Sequence, residues 1–219
     1  IDGAVDMGAG EDRFVGKNGG VLNGDLYMQA GEDVLDLRHG SYAKGGVISG
    51  GDDNDTYLVA SADLNLVEDA ASGYDIVKSS VSFVLADNFE YLYLTGNADL
   101  KGKGNSDANY LAGNAGDNRL SGMGGMDGLF GGKGTDYLTG GAGADGFYFK
   151  AAAGKEIVTD FQDGVDGIVL FGPAGMSGGD FVQEYGHNSH GNLVLSWGGT
   201  EMILEGIQKS QITDADFLT

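Results

Sequence analysis

Three Asp residues recur nine positions apart in the middle of the chain, and each one ends a Gly-rich segment. Asp127, Asp136 and Asp145 close segments of the type G-G-x-G-x-D, and a large apolar residue follows each Asp after one intervening position. Glycine lets the backbone adopt positive φ and turn its carbonyl oxygens toward one point, where Asp adds a charged oxygen. Calcium takes about six to eight such hard oxygen ligands and tolerates irregular geometry. The spacing therefore predicts cation binding, with calcium as the preferred ion.

A nine-residue repeat surrounds these acids. The pattern G-G-x-G-x-D-x-apolar-x fits residues 122–130, 131–139 and 140–148, with Met123 as the one departure. A fixed repeat of this kind is typical of a solenoid, in which every copy supplies a turn and a short strand. The apolar residue of each strand is expected to point inward, because successive side chains of a strand alternate between its faces. The repeat therefore predicts a parallel β-solenoid whose turns carry the acids.

The two preceding nonapeptides keep this register, but they offer a cation less charge, since the neutral residues Asn109 and Asn118 stand in the acidic position. One turn of the coil takes two nonapeptides, so residues 18 apart are expected to stack at a spacing of about 4.8 Å. This gives one column of Asn109, Asp127 and Asp145 and a second of Asn118 and Asp136. An ion between consecutive turns is shared by both side chains, and Asp127 with Asp145 is the most acidic pair. The turn glycines predicted to complete these sites are Gly113, Gly122, Gly124, Gly131, Gly132, Gly134, Gly140, Gly141 and Gly143.

The first half of the chain carries looser copies of the repeat. Asp12, Asp33, Asp55 and Asp75 each lie in a G-x-D-x-apolar segment or its close variant, and successive acids are 21, 22 and 20 residues apart. Asp12, Asp33 and Asp55 are candidate metal ligands on this basis. The alternative, for all of the copies, is a solenoid of Asx and glycine turns without metal. The two Asn positions favour that alternative because they indicate that a turn can form without the charge.

The composition limits the possible classes of protein. The 219 residues include 42 Gly, one Pro and no Cys, and 33 acidic against 12 basic residues give a net charge of −21. Collagen is excluded because the glycines lack a three-residue period, and disulfide and zinc-thiolate scaffolds are excluded by the missing Cys. The 41% apolar content argues against disorder. The negative charge argues against nucleic acid and anionic membranes as partners, and we expect neither a membrane span nor an N-terminal leader.

Residues 104–148 resemble the hemolysin-type calcium-binding repeats of RTX proteins. The following stretch, residues 155–170, is similar to the segment that closes the β-roll in serralysin-type metalloproteases, and residues 192–207 resemble the terminal strand pair of such modules. Glu156 stands where that family usually has Asp. The acids that match the family's positions, and that the resemblance implies as metal ligands, are Asp160, Asp163 and Asp166. Residues 55–92 resemble the degenerate repeats of long RTX exoproteins.

The resemblance implies an all-β protein, a right-handed parallel β-roll or β-solenoid with a C-terminal cap of antiparallel strands. It further implies several calcium ions as cofactors and secretion from a Gram-negative bacterium, to the medium or the cell surface. Export would use the type I machinery and an uncleaved C-terminal signal. The expected organisation is a degenerate RTX-like solenoid over residues 1–103, a calcium-binding nonapeptide roll over 104–170, and a cap with the secretion signal over 171–219. Short helices are expected near 151–153 and 208–217.

No catalytic constellation is evident in the sequence, and we expect a protein that is not an enzyme. His187, Ser189 and Asp180 invite interpretation as a triad, but a polar hairpin loop between Phe181-Val182 and Leu193-Val194 is favoured, because sequence neighbours rarely form a triad. Three functions stay open. The first is a calcium-binding module that supports secretion and stability of an exoprotein. The second is a polysaccharide-binding accessory module like those of alginate epimerases, and the third is a calcium-dependent adhesive or structural surface protein.

Overall fold

A computed structural model describes residues 1–39, 41–42, 46–70 and 72–218. The chain is an all-β parallel β-solenoid with antiparallel strands at its C-terminus, which confirms the predicted fold class. Its contacts divide it into two compact units, Ile1–Thr95 (unit 1) and Gly96–Thr219 (unit 2). The finer division into segments 1–103, 104–170 and 171–219 stays a prediction.

Unit 1 is built from short strands that alternate with Gly- and Asp-rich turns. One parallel sheet has the order β2-β5-β8-β10-β12, a second has the order β1-β4-β7-β9, and β3 pairs with β6. The strands are β1 (Val5–Asp6), β2 (Arg13–Val15), β3 (Val21–Leu22), β4 (Leu26–Tyr27), β5 (Val34–Leu37), β6 (Ser41–Tyr42), β7 (Val47–Ser49), β8 (Thr56–Val59), β9 (Asn65–Leu66), β10 (Ile76–Ser79), β11 (Phe83–Val84) and β12 (Tyr91–Leu94).

Unit 2 contains the regular nonapeptides and the C-terminal region. Its first sheet has the order β14-β16-β18-β20-β24, and its second has the order β13-β15-β17-β19-β23-β22-β21, whose last two pairings are antiparallel. The elements are β13 (Lys101–Lys103), β14 (Tyr110–Ala112), β15 (Arg119–Gly124), β16 (Gly128–Phe130), β17 (Thr135–Ala142), β18 (Gly146–Lys150), β19 (Lys155–Val158), β20 (Gly167–Phe171), α1 (Gly178–Tyr185), β21 (Gly186–Ser189), β22 (Asn192–Trp197), β23 (Thr200–Leu204), a 3₁₀ helix (Asp214–Asp216) and β24 (Phe217–Leu218).

The strand register of unit 2 follows the nine-residue period. Leu111 pairs with Leu129 and Leu129 with Phe147, while Leu120 pairs with Leu138 in the other sheet. All five side chains are at most 2% exposed and form a continuous apolar core between the two sheets. Burying one such side chain contributes about 1.5–3 kcal/mol, so the stacked apolar positions fix the register. The same register brings the acidic turns of alternate nonapeptides next to each other.

The C-terminal region differs in part from the local predictions. Phe181 and Val182 lie buried in α1 rather than in a strand beside a loop, because the Ser177 side chain accepts the Asp180 N–H and starts a helix there. His187 lies in strand β21, which pairs with β22 as a hairpin. Residues 151–152 form a turn, and only the 3₁₀ helix at 214–216 falls in the predicted C-terminal helix. No helix in the described part of the chain is long and apolar enough to cross a membrane.

Candidate metal centres

The first acidic column of unit 2 is a ladder of hydrogen bonds from backbone to side chain. The Asn109 N–H donates to Asp127 Oδ1 at 2.7 Å, and the Asp127 N–H donates to Asp145 Oδ1 at 2.9 Å. The Asp145 N–H continues the ladder to Asp166 Oδ1 at 3.0 Å. Each carboxylate therefore bridges two consecutive turns, and Asp166 extends the column that the nonapeptide spacing predicts.

The second column has the same construction over fewer turns. The Asn118 N–H donates to Asp136 Oδ1 at 2.7 Å, and Glu156 pairs in register with Asp136 through β17 and β19. Glu156 Oε2 also accepts the Gly131 N–H at 3.3 Å. Glu156, which the family resemblance marked as a substitution of Asp, therefore occupies the third level of this column.

One carboxylate oxygen of each of these acids has no hydrogen-bond partner among the residues that the structure describes. Oδ2 of Asp127, Asp136 and Asp145 and Oε1 of Glu156 are buried without a hydrogen-bond partner in the described structure. Burial raises the pKa of Asp127 to about 7, of Asp136 to about 6 and of Glu156 to about 8. A buried carboxylate oxygen without a donor or a cation is costly, on the order of 1–3 kcal/mol or more. The donor set of hard, open oxygens fits calcium.

Glycine at the first repeat position is required by the acid at the sixth. A Cβ at Gly122 would lie 2.1 Å from Asp127 Oδ2, and one at Gly140 would lie 2.3 Å from Asp145 Oδ2. The space above Gly122 also contains the carbonyl oxygen of Gly140, 2.7 Å from the same point. Carboxylate and carbonyl oxygens therefore converge over the first position of the repeat, as a calcium site requires.

The second and fourth repeat positions need positive φ. Gly132 and Gly141 have φ of +99° and +105° at the second position, where Met123 is held at +88°. Gly124, a predicted site residue, occupies the third position and its Cβ would meet nothing closer than 3.8 Å. The fourth position of that copy is Gly125, with φ of +98°, which the sequence interpretation overlooked. The predicted glycines with positive φ at the fourth position are Gly134 and Gly143, whereas Gly113 and Gly131 take the first position of their copies.

The three acids implied by the family resemblance occupy different places. Asp160 accepts the N–H groups of Gly140 and Gly141 at 2.9 Å each, one on each oxygen. Asp166 belongs to the first column, and its Oδ2 accepts the Gln162 N–H at 2.8 Å. Asp163 is exposed and stands outside the column ladder described above. The structure thus brings Asp160 and Asp166 beside Asp145, and leaves Asp163 on the surface.

Unit 1 contains an acidic column of its own. The Asp12 N–H donates to Asp33 Oδ1 at 2.6 Å, Asp33 donates to Asp55 at 2.8 Å, and Asp55 donates to Asp75 at 2.8 Å. The Asp75 N–H ends the ladder on Glu90 Oε2 at 2.7 Å. Oδ2 of Asp33, Asp55 and Asp75 is again buried without a partner among the described residues. The eroded repeats therefore keep the same ligand arrangement as the regular ones.

A further acid, Glu68, lies beside Asp55 and Asp75 of this column, and the repeat pattern does not predict it. Carboxylate oxygens of Asp55, Glu68 and Asp75 all lie within 4.8 Å of one another, and all three side chains are buried. Burial raises the pKa of Asp55 to about 8, of Asp75 to about 7, and of Glu68 above its usual range. The sequence offers one signal for the position of Glu68, the apolar Leu66 two residues before it. Leu66 pairs with Ile48 of the preceding turn.

No protein-family model matches this sequence, and no curated protein matches it. Among solved structures, the chain is similar to the extracellular lipase LipA from Serratia marcescens, at 15% identity and a TM-score of 0.42. The similarity covers 88% of this chain and 40% of the lipase chain, so this chain spans less than half the length of that protein.

Proposed function

We propose that unit 2 is a calcium-binding module of the RTX kind, with ions held between stacked turns of its two acidic columns. The observation that carries the proposal is the set of buried carboxylate oxygens without a partner at Asp127, Asp136, Asp145 and Glu156. One oxygen of each Asp joins the backbone ladder, and the other stays open toward the turn carbonyls. The role is a noncatalytic one, in which the acids act as ligands.

The columns differ in the charge that they offer to an ion. Asp127 with Asp145, and Asp136 with Glu156, supply two carboxylates each, so these pairs hold calcium most tightly. Asn109 and Asn118 supply a neutral amide instead, and a site that includes one of them has one charge less. The predicted order of filling is therefore the doubly acidic pairs first.

Calcium binding and folding of unit 2 are coupled in this proposal. Stacking the turns brings buried acids together in a chain of net charge −21, and the cation removes that repulsion. Binding stabilises the folded state by about 1.4 kcal/mol per site for every tenfold excess over the dissociation constant. Extracellular calcium modules bind at around 10⁻⁴–10⁻³ M, so such sites stay empty in a calcium-poor cytoplasm.

Secretion by the type I route follows from the same coupling. A chain that stays unfolded in the cytoplasm passes through a narrow exporter and folds when it meets extracellular calcium. The resemblance of residues 155–170 and 192–207 to the closing segments of type I-secreted proteins supports this route. The proposed role is thus to assist export and to stabilise an exoprotein at the surface or in the medium.

The test is a calcium titration of the full chain, followed by circular dichroism and light scattering. We expect the strand signal to rise with calcium in the 10⁻⁴–10⁻³ M range and to be lost again in excess chelator. Magnesium at equal concentration is the control and should restore little of it, because magnesium demands tight octahedral geometry and holds its waters. Full strand content and protease resistance in chelator would contradict the proposal. Growth of large particles with calcium would instead favour the structural or adhesive function.

A polysaccharide-binding function is the second candidate, and three surface Tyr rings of unit 1, one exposed and two half-buried, favour it. Tyr74 is 64% exposed, and the rings of Tyr91 and Tyr93 lie 6.5 Å apart with an interplanar angle of 6°. Neighbouring aromatic rings at the protein surface can stack against sugar rings. Affinity electrophoresis in gels that contain alginate should show retardation that Tyr74→Ala weakens and Phe171→Ala, an exposed ring of unit 2, leaves unchanged. Equal migration with and without polysaccharide would exclude this candidate.

A further inference from the structure

Asp55, Glu68 and Asp75 form a compact buried cluster in unit 1. Their side chains are 0%, 4% and 0% exposed, and one oxygen of each lies within 4.8 Å of the other two. Oδ2 of both Asp residues is fully buried and has no hydrogen-bond partner in the described structure. Two open oxygens therefore sit beside a third carboxylate in a region that solvent does not reach.

Glu68 reaches the cluster because it takes a position that glycine holds in the regular repeats. Strands β7 and β9 pair Ile48 with Leu66, which sets Glu68 beside Gly50, the first residue of its turn. The Gly50 N–H donates to Glu68 Oε1 at 3.1 Å, and the Gly51 N–H donates to Oε2 at 3.3 Å. The Tyr57 hydroxyl also donates to Glu68. These bonds fix the carboxylate in place as an acceptor, aimed at the column.

The hydrogen-bond pattern of Glu68 occurs a second time among the described residues. In unit 2, Asp160 accepts the N–H groups of Gly140 and Gly141, as Glu68 accepts those of Gly50 and Gly51. Two column acids, Asp145 and Asp166, stand beside Asp160 and interact with it electrostatically. Both units therefore place an acid beside the first glycine of a turn, next to two column acids, once at Glu68 and once at Asp160.

The cluster needs a positive charge that the described protein does not provide. No Lys, Arg or His nitrogen of the described residues lies within 4.0 Å of these three carboxylates, since the ion pairs found there involve Asp36 and Glu201. Three acids at this distance and burial cannot all ionise without a cation. The available ligands are all oxygens, which excludes a preference for soft metals.

We propose that Asp55, Glu68 and Asp75 hold a calcium ion in unit 1, at a site separate from the nonapeptide columns of unit 2. Among the described residues, only these three acids bring one oxygen each within 4.8 Å of the other two, so three carboxylates converge on one ion here. The site therefore offers one charge more than a column pair of unit 2, is the tighter one and fills first. The site anchors the eroded half of the solenoid in the folded state at calcium levels that leave unit 2 partly empty.

The experiment measures calcium stoichiometry and affinity of the full chain by titration calorimetry. Glu68→Gln removes one charge and keeps the shape, and Asp69→Asn is the matched control because Asp69 is an exposed acid one residue away. We expect Glu68→Gln to lose the tightest site or weaken it at least about tenfold, and Asp69→Asn to keep it. Unchanged stoichiometry and affinity in a folded Glu68→Gln variant would overturn the inference, and would show that protons neutralise the cluster.

A second measurement keeps the inference testable if Glu68→Gln does not fold. Terbium replaces calcium at oxygen sites, and its luminescence is excited through a nearby Tyr ring, here Tyr57 beside Glu68. We expect the first equivalent of terbium to give emission that Tyr57→Phe reduces, and no such reduction would refute the site. The variant Asp127→Asn/Asp136→Asn/Asp145→Asn separates the two proposals. If this variant loses only the weak sites, both proposals are supported. If it loses no site, the function proposed for unit 2 is contradicted. If it loses the tight site, the inference about unit 1 is contradicted.

Discussion

Replacing Gly140 by Ala tests the acidic columns with a single methyl group. A Cβ at this position would lie 2.3 Å from Asp145 Oδ2 and 2.9 Å from its Cβ and Cγ, well inside van der Waals contact. The Asp145 side chain has little freedom to yield, because it is fully buried and its Oδ1 holds the Asp127 N–H at 2.9 Å. Gly140 does not have positive φ, so Ala is compatible with its backbone conformation and the change acts only through the steric clash with Asp145.

The expected loss of stability follows from these contacts. Forcing a methyl group into a packed site costs about 1–3 kcal/mol, and loss of a hydrogen bond to a charged group adds about 1.5–3 kcal/mol. We therefore expect Gly140→Ala to lower the unfolding free energy of the calcium-loaded protein by about 2.5–6 kcal/mol. Its calcium midpoint should rise as well, because displacement of Asp145 removes a ligand from the most acidic pair.

Gly124→Ala is the matched control, since it makes the same chemical change in the nonapeptide 122–130, which stacks on the nonapeptide that contains Gly140. Its Cβ would meet nothing closer than 3.8 Å, and Ala is compatible with its backbone conformation. We expect an unchanged protein or a gain of about 0.4–1 kcal/mol from the reduced entropy of the unfolded chain. Urea unfolding in saturating calcium and a calcium titration by circular dichroism measure both variants. Equal unfolding free energies and equal calcium midpoints for the two variants would refute the conclusion that the acidic side chain occupies the space above the first glycine of the repeat.

Three further predictions address the charge and geometry of unit 2. Asp127→Asn should weaken calcium binding by about tenfold or more in calorimetry, whereas the control Asp107→Asn, at an exposed acid, should have little effect. Equal losses of affinity in the two variants would contradict the assignment of Asp127 to the column. Met123→Gly should raise the urea midpoint, because it removes a side chain held at φ of +88°, whose strain costs about 1–2 kcal/mol; a lower midpoint would show that Met123 is not strained. Metal-free protein should lose stability from pH 5 to 8 in urea unfolding. The folded state holds protons on acids whose pKa values reach about 7 at Asp127 and about 8 at Glu156, above their values in the unfolded chain. Calcium displaces these protons, so its affinity should rise over the same range, and a pH-independent affinity would count against the sites.

The sequence predicts unit 2 well because its period is strict. Nonapeptides without insertions leave one register in which every apolar residue is buried, and that register fixes which acids stack. The ladder from backbone N–H to Asp side chain could not be predicted, since spacing alone does not say which oxygen faces the neighbouring turn. Helix α1 escaped prediction for a local reason: its start depends on the Ser177 cap, and its first two residues, Gly178 and Gly179, disfavour a helix.

Unit 1 shows where the same reasoning fails. Its acids are 20 to 22 residues apart, so each turn contains insertions that shift the repeat positions by unknown amounts. The spacing still identifies Asp12, Asp33 and Asp55 as members of one column. It does not reveal that Glu68 falls on the glycine position, because that depends on pairing Leu66 with Ile48 through two-residue and three-residue strands.

The two Asn positions close their turns without a buried charge. Asn109 Oδ1 accepts the Asn105 N–H of its own turn at 2.7 Å, and Asn118 Oδ1 accepts the Asn114 N–H at 2.7 Å. A neutral amide closes its turn internally and leaves no buried charge, whereas Asp127 directs one oxygen to the neighbouring turn and leaves the other open. Open oxygens converge only when turns stack, and stacking buried carboxylates is costly without a cation, so the proposed calcium sites would make metal binding and folding one equilibrium in the acidic turns. Under this proposal the turns that end in Asn form first, and they give the acidic turns a folded edge on which to stack.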